Sequence, residues 1–139
     1  MEKNSNKQTE ILQVSEEVKK QLLSDLILTG KCEYTASLFT GIPVVFKSLT
    51  WNEQETLSRN IGDIVEDIPT SDGTTRKITV NEFNLEATKH TLMAYIKTFN
   101  KKPFNISNTS SQVVNILSKK VREFIALVDS LLDIEEVKN

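Results

Sequence analysis

Cys32 is the only cysteine in the 139 residues and His90 the only histidine. A lone cysteine excludes a disulfide within the chain and a thiolate cage for a metal. A lone histidine removes the residue on which zinc sites and Ser-His-Asp triads depend most. No metal site, cofactor or catalytic constellation is therefore expected. Gly30, Gly41, Gly62 and Gly73 stand far apart, so no Gly-rich loop is present to cradle a phosphate. No run approaches the ~18 consecutive apolar residues that a bilayer span needs. The start, MEKNSNKQTEILQ, has no apolar stretch leading to a small-residue cleavage site and does not read as a secretory signal. An excess of one charge is missing too. Seventeen basic and nineteen acidic residues leave a net charge of −2, whereas a chain that coats nucleic acid carries a strong positive excess.

What is there suits one domain. A 38% hydrophobic content supplies one core at this length. Residues 1–8 are polar and read as a frayed terminus, and 9–139 read as a single domain. Ile11, Val14, Val18, Leu22 and Leu26 recur at helical spacing and predict a helix over 10–28, with Thr9 as its cap and Gly30 as its stop. The period then changes. Residues 33–47 hold two strand-forming runs joined through Thr40-Gly41, which predicts a β-hairpin. Pro43 cannot donate to a ladder, so the second strand is expected to begin at an edge.

Three capping boxes follow. Thr50-x-x-Glu53 opens a helix over 51–67, bearing Leu57, Ile61, Ile64, Val65 and Ile68 and ended by Pro69. Residues 69–78, with Asp72-Gly73, read as an exposed loop or short ribbon tip. Thr79-x-x-Glu82 opens a helix over 80–99. Its apolar residues fall on two faces, one with Leu85, Leu92, Ile96 and Phe99, the other with Phe83, Ala87 and Ala94, as if packed from both sides. Thr109-x-x-Gln112 opens the last helix, over 109–133. The sum is an α+β fold, mostly α, with one short β-hairpin, about four helices and a long C-terminal helix.

Two surfaces are candidates for contact with a partner. On the last helix Val114, Leu117, Val121, Phe124, Val128 and Leu131 keep an unbroken three-four alternation, and the apolar arc covers roughly 180° at ~100° per residue. Such an arc is either the covered side of a central helix or a face shared with another chain. At 1.5 Å per residue the helix would be ~37 Å long, against a radius of gyration of about 14 Å for a domain this size, so an end is expected to overhang. In the hairpin Phe39, Ile42, Val44 and Phe46 put apolar groups where helices could cover them or where an edge could pair with a partner's strand. Trp51 opens a helix, a place that suits a core anchor or an interface hot spot. Cys32 reads as a small packing residue and His90 as a surface or half-buried imidazole. Glu16-Glu17, Glu66-Asp67 and Glu135-Glu136 point ~100° apart and do not converge.

Ser37–Leu57, SLFTGIPVVFKSLTWNEQETL, resembles the hairpin-then-helix arrangement of small tail-assembly and baseplate-hub proteins of tailed bacteriophages. The resemblance lies in the Gly-bearing hairpin and the Leu49-Thr50-Trp51-Asn52-Glu53 helix start. Leu92-Met93-Ala94-Tyr95-Ile96 is similar to their helical body. The likeness covers about half the chain and leaves out residues 69–78 and the last helix. It implies a non-enzymatic structural or assembly protein, in the virion or in the host cytoplasm during assembly. Its partners would be other tail or baseplate proteins or a second copy of the chain, with no membrane and no nucleic acid. The alternative is a small regulatory or host-directed adaptor; its basic clusters are Lys19-Lys20, Lys101-Lys102 and Lys119-Lys120-x-Arg122, and nucleic-acid contact, where made, is expected through Lys101-Lys102 and the 69–78 loop.

Overall fold

The computed structural model of the chain describes residues 11–138, with side chains through Asp133. In chain order the elements are α1 (Glu16–Thr29), β1 (Glu33–Leu38), β2 (Ile42–Lys47), α2 (Trp51–Gly62), β3 (Asp67–Pro69), β4 (Thr75–Lys77), α3 (Val80–Tyr95), β5 (Ile96–Phe99), β6 (Lys102–Pro103), a short 3-10 turn (Ile106–Asn108) and α4 (Ser111–Lys138). Four helices and small antiparallel sheets among the described residues make the fold α+β with helix dominant.

The frayed terminus expected over 1–8 and the Thr9 cap lie outside the described residues. Residues 11–15 are not helical, and α1 starts later than the periodicity of Ile11 and Val14 predicts. Ser15 takes the cap: its hydroxyl accepts from the Val18 N–H at 3.2 Å, and Glu16-Glu17 follow in the first turn, where carboxylates favour the helix N-terminus. Gly30 ends α1 with φ 83°, its N–H reaching the Leu26 carbonyl at 3.1 Å.

The main sheet has the order β1-β2-β5-β6, all antiparallel. The hairpin is present, but β2 is central, which corrects the edge expected from Pro43. The Pro43 carbonyl accepts from Asn100 N–H at 2.8 Å. Both main-chain groups of a strand residue face the same neighbour, so the missing N–H points to where β5 has already ended. The β5–β6 turn places Asn100 and Lys101 at φ 55° and 68°, as a two-residue primed turn demands.

Alternation decides which face of β1 and β2 is dry, and a register shift opposite Val45 and Phe46 lets both Ile96 and Phe99 of β5 face the same side. Tyr34, Ala36, Ile42, Val44, Phe46, Ile96 and Phe99 join one core face, while Glu33, Thr35, Ser37 and Lys97 on the other are exposed. On that outer face Lys97 meets Glu33 at 2.8 Å. Val45 is an apolar residue of β2 on that outer face, and α4 lies against the core face. Phe124 of α4 stacks on Phe46 with ring centroids 5.8 Å apart. Leu117, Val121, Phe124, Leu127 and Leu131 are all buried against the sheet, α1 and α3. Ser110 rather than Thr109 caps α4: its hydroxyl accepts from Gln112 N–H at 3.2 Å, while Thr109 donates to the Asn105 carbonyl at 2.7 Å.

Between neighbouring strands β2 and β5 the chain makes an excursion of α2, the β3–β4 ribbon and α3. Both capping boxes that open its helices are formed, Thr50 with Glu53 and Thr79 with Glu82. α2 stops at Gly62, not 67, so Ile64, Val65 and Ile68 leave the helical stripe, and Ile68 enters β3. α3 stops at Tyr95, not 99. Ile96–Phe99 is the strand β5, because β2 offers an open ladder that these apolar residues can complete.

Candidate functional site

Little of the excursion is covered. Along α2 and α3 the only buried side chains are Leu57 and Leu92. Several of the remaining apolar residues line a groove. Its larger hollow, about 600 Å³, is lined by Ile64, Val65, Ile68, Ile78 and Leu85, with Asp63, Glu82 and Glu86 at its margin and Asn60 and His90 at one end. A second hollow of about 360 Å³ lies between α2 and α3, with Leu49, Leu57, Met93 and Ala94. Both are lined by Asn60 and His90, so they adjoin. Val65 is 64% exposed, Leu85 70% and Met93 47%. Scattered apolar residues on a surface are ordinary; a contiguous set lining a groove marks a contact site.

Local chemistry fixes the shape of this groove. Arg76 of β4 makes a two-pronged pair with Glu82, at 2.9 and 2.7 Å. The same carboxylate accepts from Thr79 N–H at 2.9 Å. Those bonds, the Arg76 pair first, hold the Glu82 carboxyl down at about 2. The ribbon is thereby tied to the first turn of α3. At its tip the Asp72 carboxylate accepts from the Thr70 and Thr74 hydroxyls and the Thr74 N–H, which sets it at about 2 as well. Lys77 meets Asp67 across the ribbon at 3.1 Å. At the far end, Thr50 N–H donates to Glu53 and lowers its pKa, with Lys47 and Lys31 adding to the effect.

The residues predicted from sequence divide. Val44, Phe46, Leu117, Val121, Phe124 and Leu131 are buried in the chain's own core. As partner contacts they are corrected: their apolar surface is already spent between sheet and α4. Phe39, Ile42, Val114 and Val128 are half-buried and pack against the same core, Phe39 lying 6.3 Å from Phe99. Trp51 is 78% exposed at the first turn of α2, which removes the core-anchor reading. Ile27 and Leu28, in the last turn of α1, are also exposed. The structure does not gather the predicted set into one surface.

The groove residues Val65, Leu85 and Met93 lie outside the contact candidates that the sequence offers. Leu85 shares its helical stripe with Leu92, yet Leu92 is buried and Leu85 is 70% exposed, so that stripe marks a face covered at one end only. Cys32 is buried; burial pushes its thiol up, and its N–H donates to the Ser48 hydroxyl at 2.9 Å. It packs rather than reacts. Glu123 is a buried carboxylate on α4 that meets Lys120 at 3.3 Å. Among the described residues no group of three or more His, Cys, Asp or Glu is placed to hold a metal ion, and no helix is long and apolar enough to cross a membrane. No family model, curated protein or solved structure matches the chain.

Proposed function

We propose that this protein is a non-enzymatic structural or assembly component of the tail or baseplate of a tailed bacteriophage, working by contact with other proteins. The observation that carries the contact reading is the apolar groove of the α2–ribbon–α3 excursion, together with Trp51 standing in solvent at its start. A Trp side chain in that position costs solubility and contributes nothing to the core, and aromatic residues of this kind concentrate binding energy at interfaces. The tail or baseplate assignment rests on the Ser37–Leu57 resemblance, which includes Trp51. In this reading the β1–β2 hairpin and a long C-terminal helix brace the contact from behind. The last helix is core along its buried stripe, and the excursion takes the role of interface.

The test is capture by tagged protein from cells that are producing the particle, with bound proteins identified by mass spectrometry. Tail or baseplate subunits should be recovered by the wild type and lost with Trp51→Ser or Leu85→Ser. Recovery of no particle subunit refutes the reading. Recovery of nucleic acid that is released steeply by salt favours the adaptor alternative.

A further inference from the structure

The groove carries information about the chemistry of its partner, and the inference rests on the protein-contact reading above. Charge in this chain is unevenly placed. Residues 51–95 hold eight acidic and four basic residues, a net of −4, whereas the remainder holds eleven acidic and thirteen basic, a net of +2. The larger hollow repeats that bias at close range. Its ionisable lining is Asp63, Glu82, Glu86 and His90, with no lysine or arginine; the smaller hollow adds Lys47 and Glu53, which pair with each other at 3.9 Å. Arg76 occupies Glu82, while Asp63 and Glu86 are exposed and form no ion pair among the described residues. The floor is apolar throughout: Ile64, Ile68 and Ile78 half-buried, Val65 and Leu85 open.

Dimensions narrow the form of the occupant. Along α3 the two adjoining hollows run from Glu82 to Ala94, ~18 Å at 1.5 Å per residue, or about three helical turns. α3 runs along one side, while the other side is the 63–68 segment and Ile78 beside the larger hollow and α2 beside the smaller one, so a helix laid along α3 would cover apolar surface that the chain leaves open. We infer that the groove binds a cationic amphipathic helix of a partner protein, about three turns long. Its apolar stripe would meet Val65, Leu85 and Met93, and its Lys or Arg residues would face Asp63 and Glu86. Helices held this way are anchored at i, i+3, i+4 and i+7. Met93 adds a side chain that adapts to different anchors. The opposing charges set orientation and speed the encounter more than they add affinity.

The experiment selects a displayed library of helical peptides, randomised in charge and apolar spacing, on the full-length protein, with counter-selection on Leu85→Ser. Leu85 is exposed, so this variant keeps its fold, checked by its melting curve. Expected winners have net positive charge and apolar residues at helical spacing. Their affinity falls at least tenfold on Leu85→Ser. With Asp63→Asn plus Glu86→Gln it falls several-fold and loses most of its salt dependence. Winners that are acidic or unpatterned, or that bind the variants as well as the wild type, overturn the inference. So does a dimer seen by sedimentation that Leu85→Ser dissociates, since the occupant is then a second copy. Capture of tail subunits by the Leu85→Ser protein would overturn the groove as their contact site and leave the proposed function resting on Trp51 alone. Cationic winners with no tail subunit captured would do the reverse.

Discussion

Replacing Phe124 by alanine tests whether the C-terminal helix is core or interface. Its ring is fully buried and stacked on Phe46 at 5.8 Å, with 25° between planes, at the point where α4 meets the central strand. Deleting a buried phenylalanine ring costs about 3–5 kcal/mol, as lost transfer energy plus the cavity left behind. A domain of this size holds roughly 5–15 kcal/mol in total, so about a fifth or more of the stability should go. With a urea slope of about 2 kcal/mol per M, the midpoint should fall by about 1.5–2.5 M at unchanged slope. The gentler pair Phe46→Leu and Phe124→Leu, taken through a double-mutant cycle, should show a coupling of about 0.5–1.5 kcal/mol from the aromatic contact. A loss below about 1 kcal/mol for Phe124→Ala, or no coupling in the cycle, would refute the packing described here and return the α4 face to the set of free surfaces.

Three further outcomes are expected. Trp51→Ser should leave the urea midpoint within the equivalent of about 0.5 kcal/mol, as a surface substitution does, while abolishing partner capture; a large drop in stability would place Trp51 in the core. Gly30→Ala should cost about 1 kcal/mol in thermal denaturation, because φ 83° is strained for alanine although a Cβ has room there. Acid should loosen the ribbon before the core: the Glu82 carboxyl falls from 4.5 to about 2 in the fold, so its contribution is complete above about pH 4.5 and is lost as pH drops towards 2. A carboxyl-carbon NMR titration should find that midpoint for Glu82, and Arg76→Ala should move it up.

Local signals were legible where one residue type dictates one geometry. Thr50 with Glu53 and Thr79 with Glu82 announced their helix starts, and both boxes formed, since each satisfies donors that a helix end otherwise leaves open. The hairpin over 33–47 and the three-four spacing of α4 were equally plain. What stayed hidden depends on distant partners. Ile96 and Phe99 continue the α3 stripe as well as they suit a strand, and only the open side of β2 decides between them. Pro43 looks like an edge residue until the end of β5 is known. Val65 and Leu85 read as core members because apolar spacing says that a face exists, not that anything in the same chain covers it.

The excursion leaves the sheet after Lys47 and rejoins it at Ile96, and Phe46 and Ile96 are cross-strand partners. A path that departs from one rail and comes back on the adjacent rail can be rewritten without shifting the track. Loop length adds little to the entropy of closure, so the β2–β5 register does not constrain how many residues lie between. Insertions, deletions and changes of charge in that detour are open to selection while the frame beneath keeps its alignment, so specificity can drift faster than shape.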